Sequence, residues 1–204
     1  MNYKEYQKSR DLSWQILINE NVTELPVKVV KLCHDLGISV YYYTPDDDND
    51  GKCMIIDGVP YIFVSRLVSA ERQRFTVAHE LGHILLGHVG KYKLVNREPA
   101  PNDDPIEQEA NIFASRLLAP ACVLWGCGVN NADEIASLCN ISKTAAEYRM
   151  ERMKLLYERD RNMRHNTGRG CFLLSSQERA VYNQFLPYIN KNRIRAPLKL
   201  ENPL

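Results

Sequence analysis

This sequence predicts an α+β fold: a small twisted β-sheet packed on a helix that carries His79-Glu80-Leu81-Gly82-His83, with further helices around it. Three observations lead there. Runs rich in β-branched and aromatic residues at 38–43, 54–56 and 61–64 read as strands. Phe75, Ala78, Leu81, Gly82 and Leu85 fall at helical spacing and form one apolar stripe. Residues Asp133–Met153 have the cadence of two helices joined by a tight turn, a helix-turn-helix-like portion.

The elements follow in order. Residues 4–20 carry Leu12, Trp14, Ile16 and Leu17 and read as a docking helix. Pro26 is expected to open a second helix and Gly37 to close it, before a strand at Ile38–Tyr43. Asp46-Asp47-Asp48-Asn49-Asp50-Gly51 is acidic but lacks the closing Glu of a calcium loop, so a solvated turn is expected. Met54-Ile55-Ile56, the Asp57-Gly58 turn and Tyr61–Val64 make a hairpin. Ser69 is the expected N-cap of the next helix, with Glu71 in its first turn and Gly87 as its stop. Asp104, Pro105 and Glu107 stand at the N-cap, first and third positions of another helix, a capping-box-like start. Arg159–Arg169 reads as a linker, Ser175–Asn190 as a last helix interrupted at Leu186-Pro187, and Lys191, Arg193, Arg195 and Lys199 as a basic mobile tail. The expected organisation is N-terminal helices over 1–36, a main domain over 37–158 that includes the pair at 133–153, and a linker with a C-terminal helix and tail over 159–204.

Composition narrows the function classes. The 204 residues suffice for one compact domain, or one domain with a helical appendage. A net charge of +1 makes no global demand for nucleic acid or membrane. No apolar run is expected to span a bilayer, and the polar N-terminus lacks the core of a signal peptide. The six cysteines (33, 53, 122, 127, 139, 171) contain no C-x-x-C, so reduced thiols and a cytoplasmic location are expected.

The chemistry is concentrated in the H-E-x-x-H segment. On a helix His79 and His83 share a face and can offer two imidazoles to one metal ion, while Glu80 is placed to act as a general base. The extended H-E-x-x-H-x-x-G-x-x-H signature would need Gly and His where Leu86 and Val89 stand, so His88 is not expected to be a ligand. A catalytic zinc needs three protein ligands and one open position. Of the two downstream carboxylates, Glu107 has a capping role available. Glu109 lies deeper in its helix beside Ile106, Ala110, Phe113 and Leu117, where a carboxylate needs a partner. A metal would supply that partner, which makes Glu109 the candidate third ligand; the alternative is a solvated charge on the helix face.

Two segments, Arg74–Leu86 with its Phe75-Thr76-Val77-Ala78-His79-Glu80-Leu81-Gly82-His83 core and Glu109-Ala110-Asn111-Ile112-Phe113-Ala114 leading to Leu117-Leu118-Ala119-Pro120, resemble the ImmA/IrrE family of zinc metallopeptidases. The likeness spans about Gly37 to Met153, and Ala119 departs from it where the family often carries Met. It implies a zincin-like fold, one Zn2+ per chain on His79, His83 and Glu109, and Glu80 as the catalytic glutamate. It also implies a protein substrate, a helix-turn-helix transcriptional repressor cleaved to derepress mobile-element or stress genes. In folds of this kind an edge strand pairs with extended substrate. Tyr61 and His88 are the candidates for stabilising an oxyanion. Two other readings stay open: a DNA-binding regulator using residues 133–153, and an interaction protein with little peptidase activity. For that helical pair, Lys143, Arg149, Arg152 and Lys154 are offset by Glu147, Glu151 and Glu158, which favours packing over DNA reading.

Overall fold

The computed structural model describes residues 3–46, 49–89, 104–168 and 175–195. The chain forms two compact units, one of Met1–Ser13 with Val27–Leu118 and one of Trp14–Pro26 with Ala119–Leu204. Helix α1 (Tyr3–Asn19) contributes to both.

In the first unit, α2 (Val29–Asp35) starts at Val29, not at Pro26, whose cis peptide bond to Leu25 lies upstream of the Lys28 N-cap. Gly37 ends it with a φ of 73°, a conformation that costs glycine little. Strands β1 (Ser39–Tyr43), β2 (Gly51–Ile56) and β3 (Val59–Ser65) follow. Among the described residues they form a three-stranded sheet in the order β1-β3-β2. β2 and β3 are the expected hairpin, paired from Gly51↔Val64 to Ile56↔Val59. Asp57 and Gly58 both take positive φ, as a two-residue hairpin turn requires. β1 lies parallel to β3, with Tyr41 opposite Phe63. Alternation puts the fully buried Ile62 and Val64 on the face toward α3 (Ala70–Leu85). Tyr41, Tyr61 and Phe63 cluster on the other face, with the Tyr41 and Phe63 rings stacked at 5.8 Å.

The acidic turn has a structural role in this unit. Asp50 forms an ion pair with Arg72 in the first turn of α3; Asp47 and Asp48 lie outside the described residues. Ser69 caps α3 as expected, its hydroxyl accepting from the Arg72 amide. Gln73 donates to the carbonyls of Ser65 and Val68, which fixes the link from β3 into the helix.

Close approach, more than propensity, explains two glycines. A Cβ on Gly51 would lie 2.4 Å from Thr76 Cγ2, so only glycine lets β2 begin against α3. A Cβ on Gly82 would lie 3.0 Å from Phe113 Cδ1 and 3.3 Å from Ala110 Cα. Gly82 therefore sets the spacing between α3 and α4 (Pro105–Leu118). Gly82→Val is expected to lower stability by about 1–3 kcal/mol through overpacking. Denaturant midpoints would check this, and an unchanged midpoint would refute this account of the contact.

The second unit is helical: α5 (Ala121–Cys127), α6 (Ala132–Cys139), α7 (Lys143–Thr167), α8 (Ser176–Gln184) and α9 (Leu186–Lys191). Two expectations need correction here. The segment from Arg159 is not a linker, because α7 continues to Thr167 and ends at Gly168, whose φ is 67°. Asp160 is buried and accepts from Arg164 at 2.7 Å, an i,i+4 pair that supports this last stretch. The tail is not loose through Arg195 either. Arg195 grips Glu134 in a two-pronged pair at 2.8 and 2.6 Å, and Ile194 donates its amide to the Cys127 carbonyl. Lys199 lies outside the described residues. The interruption at Leu186-Pro187 is present as the break between α8 and α9.

Pro105–Cys127 has the length and apolarity of a membrane span, although no apolar run is expected to span a bilayer. In the structure it is two helices, α4 and α5, with Ala119-Pro120 between them, and 72% of the apolar window is buried inside the protein. Cys33, Cys53, Cys122, Cys127 and Cys139 are free thiols; Cys171 lies outside the described residues. Burial pushes the Cys33 thiol up to about 12, so it is held protonated as a core group.

Candidate metal centre

The site is assembled where α3 meets α4. His79 and His83, one helical turn apart on α3, are buried, and their Nε2 atoms lie 3.0 Å from each other. The third group is Glu107, from the first turn of α4. Its Oε2 is 3.1 Å from His79 Nε2 and its Oε1 is 3.3 Å from His83 Nε2. These three side chains form a cluster able to hold a metal ion.

Glu109 is not brought to this cluster. Its Oε2 lies 3.2 Å from His88 Nε2, so the expected third donor is not the carboxylate that meets the two histidines. The reason lies in the register of α4. Ala110 and Ala114 are fully buried, and Glu107 precedes them by three and seven residues on the same face. Glu109 stands two positions further round, toward the end of α3. Asp104 Oδ1 caps the helix by accepting from the Ile106 amide at 2.9 Å, while the Glu107 carboxylate reaches the two histidines from the first turn. The signal that would have selected Glu107 is its i,i+4 relation to Asn111, whose Oδ1 lies 3.0 Å from His79 Nδ1. One stripe of α4 thus carries both a carboxylate for the centre and an acceptor for the far nitrogen of a ligand.

The proton arrangement explains why this set fits a cation. His79 Nδ1–H donates to the Asn111 side-chain carbonyl, which leaves His79 Nε2 as a lone pair. His83 Nδ1 is likewise engaged, 3.0 Å from His88 Nδ1, while the other His88 nitrogen donates to Glu109. Two lone pairs and a carboxylate then face one another at 3.0–3.3 Å, an arrangement that repels unless positive charge sits among them. Ligands about 2.0–2.2 Å from a tetrahedral zinc lie about 3.3 Å apart, and this spacing is close to that. The nitrogen and oxygen donors also suit zinc.

Glu80 follows His79 on α3 and is only 1% exposed. Burial lowers the pKa of the His88 imidazole, with the neighbouring His83 adding to the effect and the hydrogen bond and charge of Glu109 opposing it. Neither oxyanion candidate is well placed. His88 has both ring nitrogens occupied, and the Tyr61 ring lies tilted beside Tyr41 and Phe63 on the other sheet face.

Residues 33–151 match the family model described as the IrrE N-terminal-like domain, a peptidase family. That range is more than half of the chain and contains both α3 and α4. The chain belongs to the ImmA/IrrE peptidase family. A search of curated proteins finds no match. The family is one of metallopeptidases, in keeping with a cluster of two histidines and a glutamate that could bind metal.

The second candidate site is the α6–α7 pair, which ImmA/IrrE membership carries to residue 151. Its turn at Asn140-Ile141-Ser142 is as expected, with Ser142 capping α7. Arg149, counted among the charges of a DNA-reading helix, is buried and donates to the Ala119 carbonyl at 2.8 Å. Ile135, Cys139, Ala146, Met150 and Met153 are buried as well. These contacts are those of a packed helical pair.

Proposed function

We propose that this protein is a zinc-dependent endopeptidase of zincin type that acts on a protein substrate in the cytoplasm. The observation that supports it most is the convergence of His79 Nε2, His83 Nε2 and the Glu107 carboxylate beside Glu80 on a buried helix. His79, His83 and Glu107 would hold the ion. Bound zinc supplies Lewis acidity for the scissile carbonyl and makes water easier to deprotonate. Glu80 takes the proton from the attacking water and returns it to the leaving nitrogen. Asn111 holds His79 in the tautomer that leaves its Nε2 free for the metal.

The family resemblance supports a helix-turn-helix repressor as the substrate, with cleavage derepressing mobile-element or stress genes. Among the described residues β1 and β2 are the edge strands of the sheet, the positions at which an extended peptide would pair. Elemental analysis of purified protein should find about one zinc per chain. The protein should cut a partner repressor at a defined bond, and chelation should stop it. Zinc-loaded protein that binds such a repressor and leaves it whole would instead favour an interaction role.

A further inference from the structure

We infer that His88 and Glu109 form a positioning relay that fixes the His83 imidazole with its Nε2 lone pair turned toward the metal site. This rests on the metal reading above but adds two residues that it does not use.

The relay begins with the end of α3. Gly87 takes a φ of 74° and donates its amide to the Ile84 carbonyl, and His88 donates its own amide to the His83 carbonyl at 2.9 Å. These paired bonds are the Schellman motif, in which the second residue past the helix folds back over the last turn. An apolar contact usually accompanies it. Here the contact is His88 on His83, with ring centroids 5.1 Å apart at 68° and the two Nδ1 atoms 3.0 Å apart. Helix termination by Gly87 thus delivers a nitrogen to the back of His83.

Glu109 settles which way the protons run. Its carboxylate can only accept, so the His88 Nε2 that faces it at 3.2 Å carries the proton. His88 Nδ1 is then the lone pair, and His83 Nδ1 is the donor between the two rings. His83 Nε2 is left bare, pointing at Glu107 Oε1 at 3.3 Å. Asn111 does the same for His79 in a single step. Each ligand imidazole therefore has its own acceptor from outside the cluster, one an amide and the other a histidine backed by a carboxylate. The His88 and Glu109 side chains are 10% and 13% exposed, so little water competes for these bonds.

The test uses the full-length protein, zinc competition against a chelator, and long-range proton–nitrogen NMR of the metal-free form. Wild type should bind zinc and show His83 in its Nδ1–H tautomer. His88→Ala should lose about 10–100-fold in zinc affinity, the usual cost of removing such a partner, and His83 should shift toward Nε2–H. Glu109→Ala should move both readouts in the same direction, and it leaves the Schellman turn intact should His88→Ala fail to fold. His88→Gln, whose carbonyl can accept from His83, should restore most of the affinity. Zinc affinity within about threefold of wild type in both alanine variants, with the His83 tautomer unmoved, would overturn the relay. A wild type that takes no zinc would end the metal reading, while the His83 tautomer would still decide the relay.

Discussion

Glu107→Ala should strip the metal from this protein, and Glu109→Ala should not. Glu107 is the carboxylate within 3.1–3.3 Å of both His79 and His83, so its removal leaves two imidazoles and no anionic ligand. The loss should lie well beyond the ~10–100-fold expected when a supporting residue is removed, and dialysed Glu107→Ala should carry no stoichiometric zinc. Glu109 is separated from the cluster by His88, so Glu109→Ala should keep its zinc on dialysis and lose affinity only within that supporting range. Because Asp104 caps α4, loss of the Glu107 carboxylate should cost the apo fold at most about 1 kcal/mol. Elemental analysis of the two variants side by side decides the matter. Zinc retained by Glu107→Ala and lost by Glu109→Ala would restore the ligand set that the sequence alone suggests.

That choice marks where the sequence stopped being legible. His79 and His83 could be paired from spacing alone, because the i,i+4 relation is a property of one helix. The third donor depends on how α4 is rotated against α3, and that rotation is set by Gly82 meeting Ala110 and Phe113. Glu107 and Glu109 stand two residues apart on one helix and both lie near a histidine, so burial arguments did not separate them. Glu107 also stands at a capping position of its helix, a local role that needs no metal. The role of His88 was hidden for a similar reason. Ligand-register reasoning set it aside from the metal, and only the fold-back after Gly87 shows that it meets His83 from behind.

Local chemistry was read well wherever it was strong. Ser69, Ser142 and the Asp57-Gly58 turn are where their side chains and backbone preferences require. The parallel pairing of β1 with β3 is a long-range fact that no local pattern announces. The C-terminal part of α7 was missed because Arg159–Thr167 is polar on nearly every face, so it lacks an apolar stripe to report helix. Its support comes from Asp160 with Arg164 and from the continuous helix preceding it. The basic character of Arg195 suggested a solvated tail, but charge alone did not reveal that Glu134 was waiting as its partner.

Glu80→Gln should abolish cleavage while leaving the metal centre whole. Glu80 is absent from the cluster of metal-binding side chains and is 1% exposed on α3, so an amide of the same shape should preserve packing and zinc content. What the amide cannot do is accept a proton from the attacking water. The rate of peptide cleavage should therefore fall by at least the ~10²–10⁴-fold that a general base contributes. Capture of the protein substrate should persist, because the loss is in proton transfer and not in recognition. The comparison needs wild type and Glu80→Gln with the same candidate protein substrate, zinc measured on both, and a pull-down beside the cleavage assay. Cleavage that survives in the variant would remove Glu80 from the mechanism. Loss of zinc together with loss of cleavage would show that Glu80 instead supports the centre's structure. Only full zinc, intact capture and absent cleavage together fit a carboxylate whose task is to move a proton.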